Sequence, residues 1–98
     1  MALAEKQKKH LRRLGHALHP LVAIGSGGLT PAVVAEMNRA LDDHELVKAR
    51  ARVADRDARD QCLEGLAAQT FSALVQRIGN VGLFYRRNAE LARIILPD

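Results

Sequence analysis

Hydrophobic residues recur along the chain with two periods, and these predict seven elements of secondary structure. Spacings of three and four residues, which place apolar side chains on one face of a helix, indicate helices over 3–15, 31–43 and 58–70. Short apolar or alternating runs bounded by turn residues indicate strands over 20–24, 45–53, 73–78 and 81–86. The predicted order is helix, strand, helix, strand, helix, strand, strand.

This order predicts the fold class. A helix joins the first two strands, so they should pair in parallel with a right-handed crossover. Gly79-Asn80 closes a tight hairpin between the last two strands, which makes the four-stranded sheet mixed. One face of the 45–53 strand is polar, so we expect the helices mainly on the other face, in a two-layer α/β (α+β) sandwich. Its 98 residues make one domain.

The 45–53 strand carries cations on one of its two faces. Small apolar residues alternate along it with three basic ones, Lys48, Arg50 and Arg52. Like charges at second-neighbour spacing repel, so the cluster gives the fold no evident benefit. One interpretation is a solvated face that discourages edge pairing. The other is a stripe that contacts phosphates, and the glycine-rich segment before the second helix favours it.

A glycine-rich loop joins the first strand to the second helix. It reads Gly25-Ser26-Gly27-Gly28 and leads to Thr30, a suitable helix cap, and Pro31, a suitable first helical residue. Exposed backbone amides at the positive end of a helix dipole form a place where phosphate can bind. The loop is therefore a candidate anion site.

Two familiar phosphate loops do not fit this segment. A Walker loop needs Lys and then Ser or Thr after its last glycine, where this chain has Leu29-Thr30. A dinucleotide fingerprint needs a third glycine at position 30 and a larger fold. A G-x-x-G clamp on a nucleic-acid backbone asks only for small residues and a helix start, so it fits. A tight turn with positive φ would explain two of the glycines but not the third.

Charge and composition narrow the choice of partner. Fifteen Lys and Arg against eleven Asp and Glu give a net charge of +4 and a pI near 9.8, which favours nucleic acid. The first helix contributes Lys9, Arg12 and Arg13, which alone would fit an ordinary solvated helix face. Aromatic residues make up 3%, which argues against an extended stacking platform. With a single cysteine, Cys62, and no apolar run that could span a bilayer, we expect a cytoplasmic protein.

Groups capable of catalysis or metal binding do not form a convincing set. His16 and His19 lie where a helix ends and lack a second pair of ligands, so no metal is expected. The acidic run 42–45 falls in a helix-to-strand turn, and we interpret it as a solvated turn. Ser26 lacks a G-x-S-x-G setting. We therefore expect neither enzyme activity nor a cofactor.

Several segments of the chain occur together in one known family. These are Lys6-Gln7-Lys8-Lys9, the loop from Gly25 to Thr30, His44-Glu45-Leu46-Val47-Lys48, Ile78-Gly79-Asn80 and Leu83-Phe84-Tyr85-Arg86. With them the sequence resembles, over nearly its whole length, the CRM domain (chloroplast RNA splicing and ribosome maturation) in its stand-alone bacterial YhbY-like form. It departs from the family at Ala4, where a Ser or Thr helix cap is usual. Without that cap, we expect the first helix to fray. It departs also at Asn88, where a proline often follows Tyr-Arg.

The resemblance implies an RNA-binding module shaped like the C-terminal domain of bacterial translation initiation factor three. It implies association with precursors of the large ribosomal subunit, hence a non-catalytic role in ribosome assembly. We expect a monomer with no DNA or membrane partner. The expected RNA-contacting residues are Gly25, Ser26, Gly27, Gly28, Lys48, Arg50, Arg52, Arg86, Arg87, Lys9, Arg12 and Arg13.

Two alternatives stay open from the sequence. Tyr85 either stacks on a base or is a buried or edge-lining residue. The acidic helix surface around Glu36, Asp42 and Asp43 would instead suit a protein–protein interaction module of a ribosome assembly complex.

Overall fold

The computed structural model describes residues 2–98 and has the seven predicted elements in the predicted order. The three helices are α1 (Glu5–Gly15), α2 (Pro31–His44) and α3 (Arg56–Thr70). The four strands are β1 (Pro20–Ile24), β2 (Leu46–Ala51), β3 (Ala73–Ile78) and β4 (Val81–Tyr85). The predicted fold class, with its mixed four-stranded sheet, is confirmed.

The strands lie side by side in the order β1-β2-β4-β3. β1 and β2 are parallel, because the crossover through α2 returns the chain to the same end of the sheet. β4 is antiparallel to both β2 and β3. The strand with the predicted basic stripe, β2, is therefore an interior strand.

Local hydrogen bonds explain why α3 and β2 differ from their predicted bounds. α3 begins at Arg56 rather than at residue 58, since the Asp55 carboxylate accepts the N–H of Ala58 at 2.9 Å and caps the helix. β2 is shorter than the predicted 45–53. After the Arg52 N–H donates to the Ile24 carbonyl at 2.7 Å, the chain turns away toward the α3 cap.

The first helix begins at Glu5 rather than at residue 3, with Ala4 as its N-cap. Alanine has no side-chain acceptor, but the Gln7 side chain accepts the Ala4 N–H at 2.9 Å. The same Gln7 amide donates to the Pro97 carbonyl at 3.0 Å. The end of the chain is thus bonded to the first turn of α1.

The sheet has a separate hydrophobic core on each face. α2 and α3 share the first core, and its fully buried residues include Met37, Leu41, Leu63, Leu66 and Phe84. α1 and the C-terminal tail lie on the opposite face, over a second core of Leu11, Leu46, Val75, Leu83 and Tyr85. The predicted placement of helices mainly on one side therefore holds for α2 and α3. The face opposite them is open only where α1 leaves it uncovered.

A glycine allows α1 to approach this second face closely. A Cβ atom at Gly15 would lie 2.6 Å from Cδ2 of Leu83, which is too close for a real contact. Because Gly15 follows Leu11 by one helical turn, the same side of α1 supplies both a buried leucine and a site for close packing.

The interpretation of 42–45 as a solvated turn is wrong for Glu45. Glu45 is fully buried, and its carboxylate accepts the N–H groups of Asn88 at 2.7 Å, Arg93 at 2.6 Å and Ile94 at 2.8 Å. Burial works against its ionisation, but these bonds and the charge of Arg93 outweigh it and hold the pKa of Glu45 below its ordinary value. An ionised Glu45 therefore fixes the path of the tail.

Candidate nucleic-acid interface

The pleat of β2 sends its cations to the face that bears α1. Val47, Ala49 and Ala51 are buried in the first core, whereas Lys48 and Arg50 lie half-exposed on the other side. Within residues 2–98, neither cation has an ion pair with a carboxylate. Two neighbouring positive charges are thus left for solvent or for a ligand.

Cross-strand pairing arranges this face into rows. The first row contains Leu46 of β2 and Tyr85 of β4, and α1 covers it. The next two rows are Lys48–Leu83–Gln76 and Arg50–Val81–Ile78, each running from β2 across β4 to β3. The row that contains Arg50 lies farthest from the α1 contact, and Ile78 in it is 68% exposed. The uncovered part of the face is therefore the end where β1 and β2 finish.

The glycine loop begins at this same end of the sheet. The bond from the Arg52 N–H to the Ile24 carbonyl places Arg52, which is exposed, directly beside the start of the loop. The loop and the β2 cations are therefore neighbours, as the sequence analysis supposed.

Hydrogen bonds within the loop leave two amides free. The Gly28 N–H donates to the Gly25 carbonyl at 3.0 Å, which forms a turn with Gly28 at a φ of +74°. In the part of the chain that the structure describes, the N–H groups of Ser26 and Gly27 have no acceptor. Each of these two N–H groups is available to donate a hydrogen bond to a phosphate oxygen.

The backbone conformation of the loop favours glycine over other residues at only one position. Gly28 needs positive φ, but Gly25 and Gly27 do not, and no atom closer than 3.8 Å would meet a Cβ at either. The tight-turn interpretation therefore explains one glycine rather than two. The other two leave the backbone bare on its solvent side, which suits close approach by a ligand.

The loop is anchored at its far end by a cap and by a leucine. Thr30 Oγ1 accepts the N–H of Val33 at 3.2 Å, with Pro31 at the start of α2, as predicted. Leu29 packs into the first core beside Gly65, where a Cβ atom would lie 2.8 Å from Leu29 Cδ1. Gly65, unfavourable within a helix, thus makes room for the residue that holds the loop in place.

The cations of α1 lie on the same side of the molecule. Lys9 and Arg13 are exposed and Arg12 is half-buried, and helical spacing points them away from the buried Leu11. They can extend the positive surface outward from the sheet.

Arg86 does not belong to this surface. Its guanidinium donates to Asn38 Oδ1 at 2.8 Å, to the Thr70 carbonyl at 2.8 Å, to the Asn38 carbonyl at 3.1 Å and to Asp42 Oδ1 at 2.8 Å. These bonds tie the end of β4 to the C-terminal parts of α2 and α3. Arg86 is therefore a structural residue, and its guanidinium is already occupied.

Strand direction explains why Arg86 and Arg87 are separated from the loop. β4 is antiparallel to β2, so its last residues lie beside the beginning of β2, and the Arg86 N–H donates to the Glu45 carbonyl at 2.9 Å. Arg50 lies four residues farther along β2 from Leu46, roughly 13 Å at about 3.3 Å per residue. Arg87 is exposed, but at the opposite end of the sheet from the glycine loop.

Tyr85 is 1% exposed within the second core, so it does not present its ring to a base. Burial and the nearby charge of Glu45 raise its pKa, and Arg87 partly opposes them. Its hydroxyl has no hydrogen-bond partner among residues 2–98. Of the two alternatives for Tyr85, the buried one is correct.

Sequence reasoning missed the β3 and β4 side of this face. Gln76, Ile78 and Val81 line it beside Arg50. The signal was weak, because a bulge between Leu74 and Gln76 interrupts the alternation of β3. No local sequence pattern indicates that β4 lies between β2 and β3 in the sheet.

No cluster of three or more His, Cys, Asp or Glu side chains suited to a metal ion occurs in residues 2–98. Over the same range, no helix combines the length and apolarity needed to cross a bilayer.

The molecule is thus a small basic α/β domain in which an exposed glycine loop lies beside cations that have no ion pair within residues 2–98. Residues 3–86 match the family model of the CRS1/YhbY (CRM) domain, so the chain belongs to that family and the resemblance seen in its sequence is confirmed.

Relatives match across nearly the whole chain. The "Probable RNA-binding protein PA4753" of Pseudomonas aeruginosa is 48% identical over 90 residues, which cover 92% of this chain and 86% of the relative. An "RNA-binding protein" of Haemophilus influenzae is 41% identical over 95 residues, 97% of this chain and 95% of the relative. The solution structure of the hypothetical protein SAV1595 from Staphylococcus aureus matches with a TM-score of 0.83 at 34% identity, covering 98% of this chain and 100% of that one.

Proposed function

We propose that this domain binds RNA, without catalysing a reaction, through the glycine loop and the neighbouring basic face of β2. The observation that carries the proposal is that the loop with the free amides of Ser26 and Gly27 begins beside Arg52, whose N–H donates to the Ile24 carbonyl at the end of β1. Arg50 and Lys48 continue the positive surface along β2. A phosphate backbone supplies acceptors for the amides and negative charge for the cations at the same time.

The relatives support this function by their names. The relative that is 48% identical over 90 residues is named a probable RNA-binding protein, and the one that is 41% identical over 95 residues is named an RNA-binding protein. The cations that we assign to the contact are Lys48, Arg50 and Arg52, extended by Lys9, Arg12 and Arg13 of α1. Arg86 is left out because of its internal bonds, and Arg87 because of its position.

We propose further that the RNA is that of the large ribosomal subunit before it is complete, so that the domain assists ribosome assembly. The resemblance to the YhbY-like form of the CRM domain supports this choice. In this account the domain acts as a monomer in the cytoplasm.

The acidic helix surface gains no support as a protein-docking site. Asp42 is bonded to Arg86, and its carbonyl accepts from Asn88 Nδ2 at 3.1 Å. It therefore has a role inside the domain, which leaves Glu36 and Asp43 as a sparse acidic surface.

A charge placed in the loop tests the proposal. A Cβ at Gly27 would meet only Thr30 Cγ2, at 3.8 Å, so Gly27→Asp should fold normally while repelling phosphate. Ala68→Asp adds the same charge on an exposed part of α3 and is the matched control. In filter binding to transcripts tiling large-subunit ribosomal RNA, Gly27→Asp should lose about tenfold or more in affinity, since like-charge contacts cost several kcal/mol.

Two results would count against the proposal in different ways. If Gly27→Asp binds like the control, the loop is not the RNA site. If the wild-type protein binds RNA but does not co-sediment with immature large subunits in cell extracts, the assembly role is wrong and RNA binding stands.

A further inference from the structure

The uncovered end of the sheet face contains a hollow with a mixed lining. It has a volume of about 260 Å³ and lies across β2, β4 and β3. Its lining consists of Pro20, Lys48, Arg50, Gln76, Ile78, Val81 and Leu83. Pockets for drug-sized ligands are roughly 300–1,000 Å³, so this one suits a smaller, flatter group.

The floor of the hollow is apolar and is open to water mainly at Ile78, which is 68% exposed. Ile78 and the half-buried Val81 lie side by side on β3 and β4 and form a small aliphatic platform. Leu83, 2% exposed beneath α1, closes the covered edge of the platform. A planar apolar surface laid on the platform would cover the area of Ile78 that is now in contact with water.

The wall of the hollow is polar and lacks partners. Among residues 2–98, the Nε of Arg50 is shielded from solvent yet donates no hydrogen bond, and the Gln76 side chain has no bonded partner. Lys48 lies two residues before Arg50 on β2, in the row that continues through Leu83 to Gln76. The hollow therefore offers cationic donors on the β2 side and an amide, both donor and acceptor, on the β3 side.

We propose that this hollow receives one unpaired base of the bound RNA and that it prefers guanine. A base is flat and apolar on its faces, which matches the platform, and polar on its edge, which matches the wall. Guanine presents O6 and N7 as adjacent acceptors toward Arg50 and Lys48, the pattern that basic side chains most often recognise. The amide oxygen of Gln76 can accept from the N–H groups of the same base.

This inference rests on the proposed function, because the RNA backbone must first lie over the glycine loop. Arg52 borders both the loop and Arg50, so a backbone held there passes the mouth of the hollow. The loop, Arg52 and the α1 cations supply affinity that does not depend on sequence. The charges of Lys48 and Arg50 add to that affinity, and their contacts inside the hollow add the choice of base.

Single-base substitution in an unstructured RNA tests the preference. The probes are twelve-residue uridine oligonucleotides whose central nucleotide is guanosine, adenosine, cytidine or uridine. By fluorescence anisotropy, the wild-type protein should bind the guanosine probe about tenfold more tightly than the others, the usual worth of a good polar base contact. Gln76→Ala and Ile78→Ser should each remove most of that preference. Their affinity for the all-uridine probe should stay within about twofold of wild type.

Matched variants separate this effect from general damage. Gln69→Ala and Ile95→Ser change exposed residues of the same types, on α3 and in the tail, and should keep the guanosine preference. Equal binding of all four probes by the wild-type protein would overturn the base site and leave the proposed function intact, as would an unchanged preference in Gln76→Ala and Ile78→Ser. If no probe binds and ribosomal transcripts do not bind either, both proposals fail.

Discussion

Replacing Arg86 with alanine should destabilise the domain without weakening RNA binding. The basic side chain of Arg86 and its position next to Arg87 would suggest the opposite, a residue that contacts RNA and contributes little to stability. Its guanidinium makes four hydrogen bonds, three of them to Asn38 and the Thr70 carbonyl. The substitution leaves these part-buried acceptors without their donor.

The size of the effect follows from the exposure of each partner. The Asp42 side chain is 72% exposed, so its ion pair with Arg86 contributes at most about 1 kcal/mol. Hydrogen bonds from a charged donor to part-buried acceptors contribute about 1.5–3 kcal/mol, and three bonds from one side chain do not add fully. We therefore expect Arg86→Ala to lower the free energy of unfolding by about 3 kcal/mol, out of the roughly 5–15 kcal/mol typical of a domain.

Urea unfolding followed by circular dichroism measures this change, with Arg87→Ala as the control. Arg87 is exposed, and its replacement should change the free energy of unfolding by less than about 0.5 kcal/mol. RNA affinity of both variants, measured well below their melting temperatures, should equal that of wild type. The reasoning is refuted if Arg86→Ala is as stable as Arg87→Ala, or if it remains stable and loses RNA affinity.

Three further predictions concern the loop, the tail and the end of α3. Gly28→Ala should cost roughly 1 kcal/mol in urea unfolding because of its φ of +74°, whereas Gly27→Ala should cost almost nothing; equal costs would contradict the assigned loop geometry. The pKa of Glu45 in the folded state lies below its ordinary value of 4.5. The ionised carboxylate therefore stabilises the domain above pH 4.5, and this stabilisation is lost as the pH falls through the folded-state pKa. Glu45→Gln should therefore reduce stability at pH 7, reduce the loss of stability on acidification, and speed proteolysis of the tail. A tail as resistant to proteolysis as in wild type would show that the Glu45 carboxylate does not hold it in place. Phe71 is 85% exposed at a φ of +54°, so Phe71→Gly should stabilise the domain by about 1 kcal/mol with RNA affinity unchanged, and a loss of affinity would place Phe71 in the interface.

The element order and the loop's position could be predicted because they depend on local patterns. Helical spacing, the cap at Thr30 and the alternation around Arg50 each act within a few residues of the chain. They correctly indicated a strand, a glycine loop and a helix in succession, with the β2 cations on one face.

The order of the strands and the role of Arg86 could not be predicted in the same way. Only the pairing of β4 between β2 and β3 places Ile78 in the row of Arg50 and carries Arg86 to the far end. The acceptors of Arg86 lie 16, 44 and 48 residues away in sequence. Glu45 was misjudged for a similar reason, since the amides that satisfy it belong to the tail.

The placement of α1 also depended on contacts beyond its own pattern. The stripe containing Leu11 showed that one side of the helix is buried but not which face of the sheet it meets. Its packing on Leu83 and the rest of the second core places α1 on the face that bears Lys48 and Arg50, and it leaves only part of that face open.

The salt dependence of RNA affinity in a charge-deleted variant tests the central claim most directly. Each phosphate contact contributes roughly 0.7–0.9 to the slope of log affinity against log salt, so Arg50→Ala/Arg52→Ala should make the slope shallower by about 1.4–1.8. Arg39→Ala/Arg56→Ala removes the same charge from exposed residues of α2 and α3, and its slope should match that of wild type. If the two double variants change the slope equally, the face of β2 is not the surface that binds RNA.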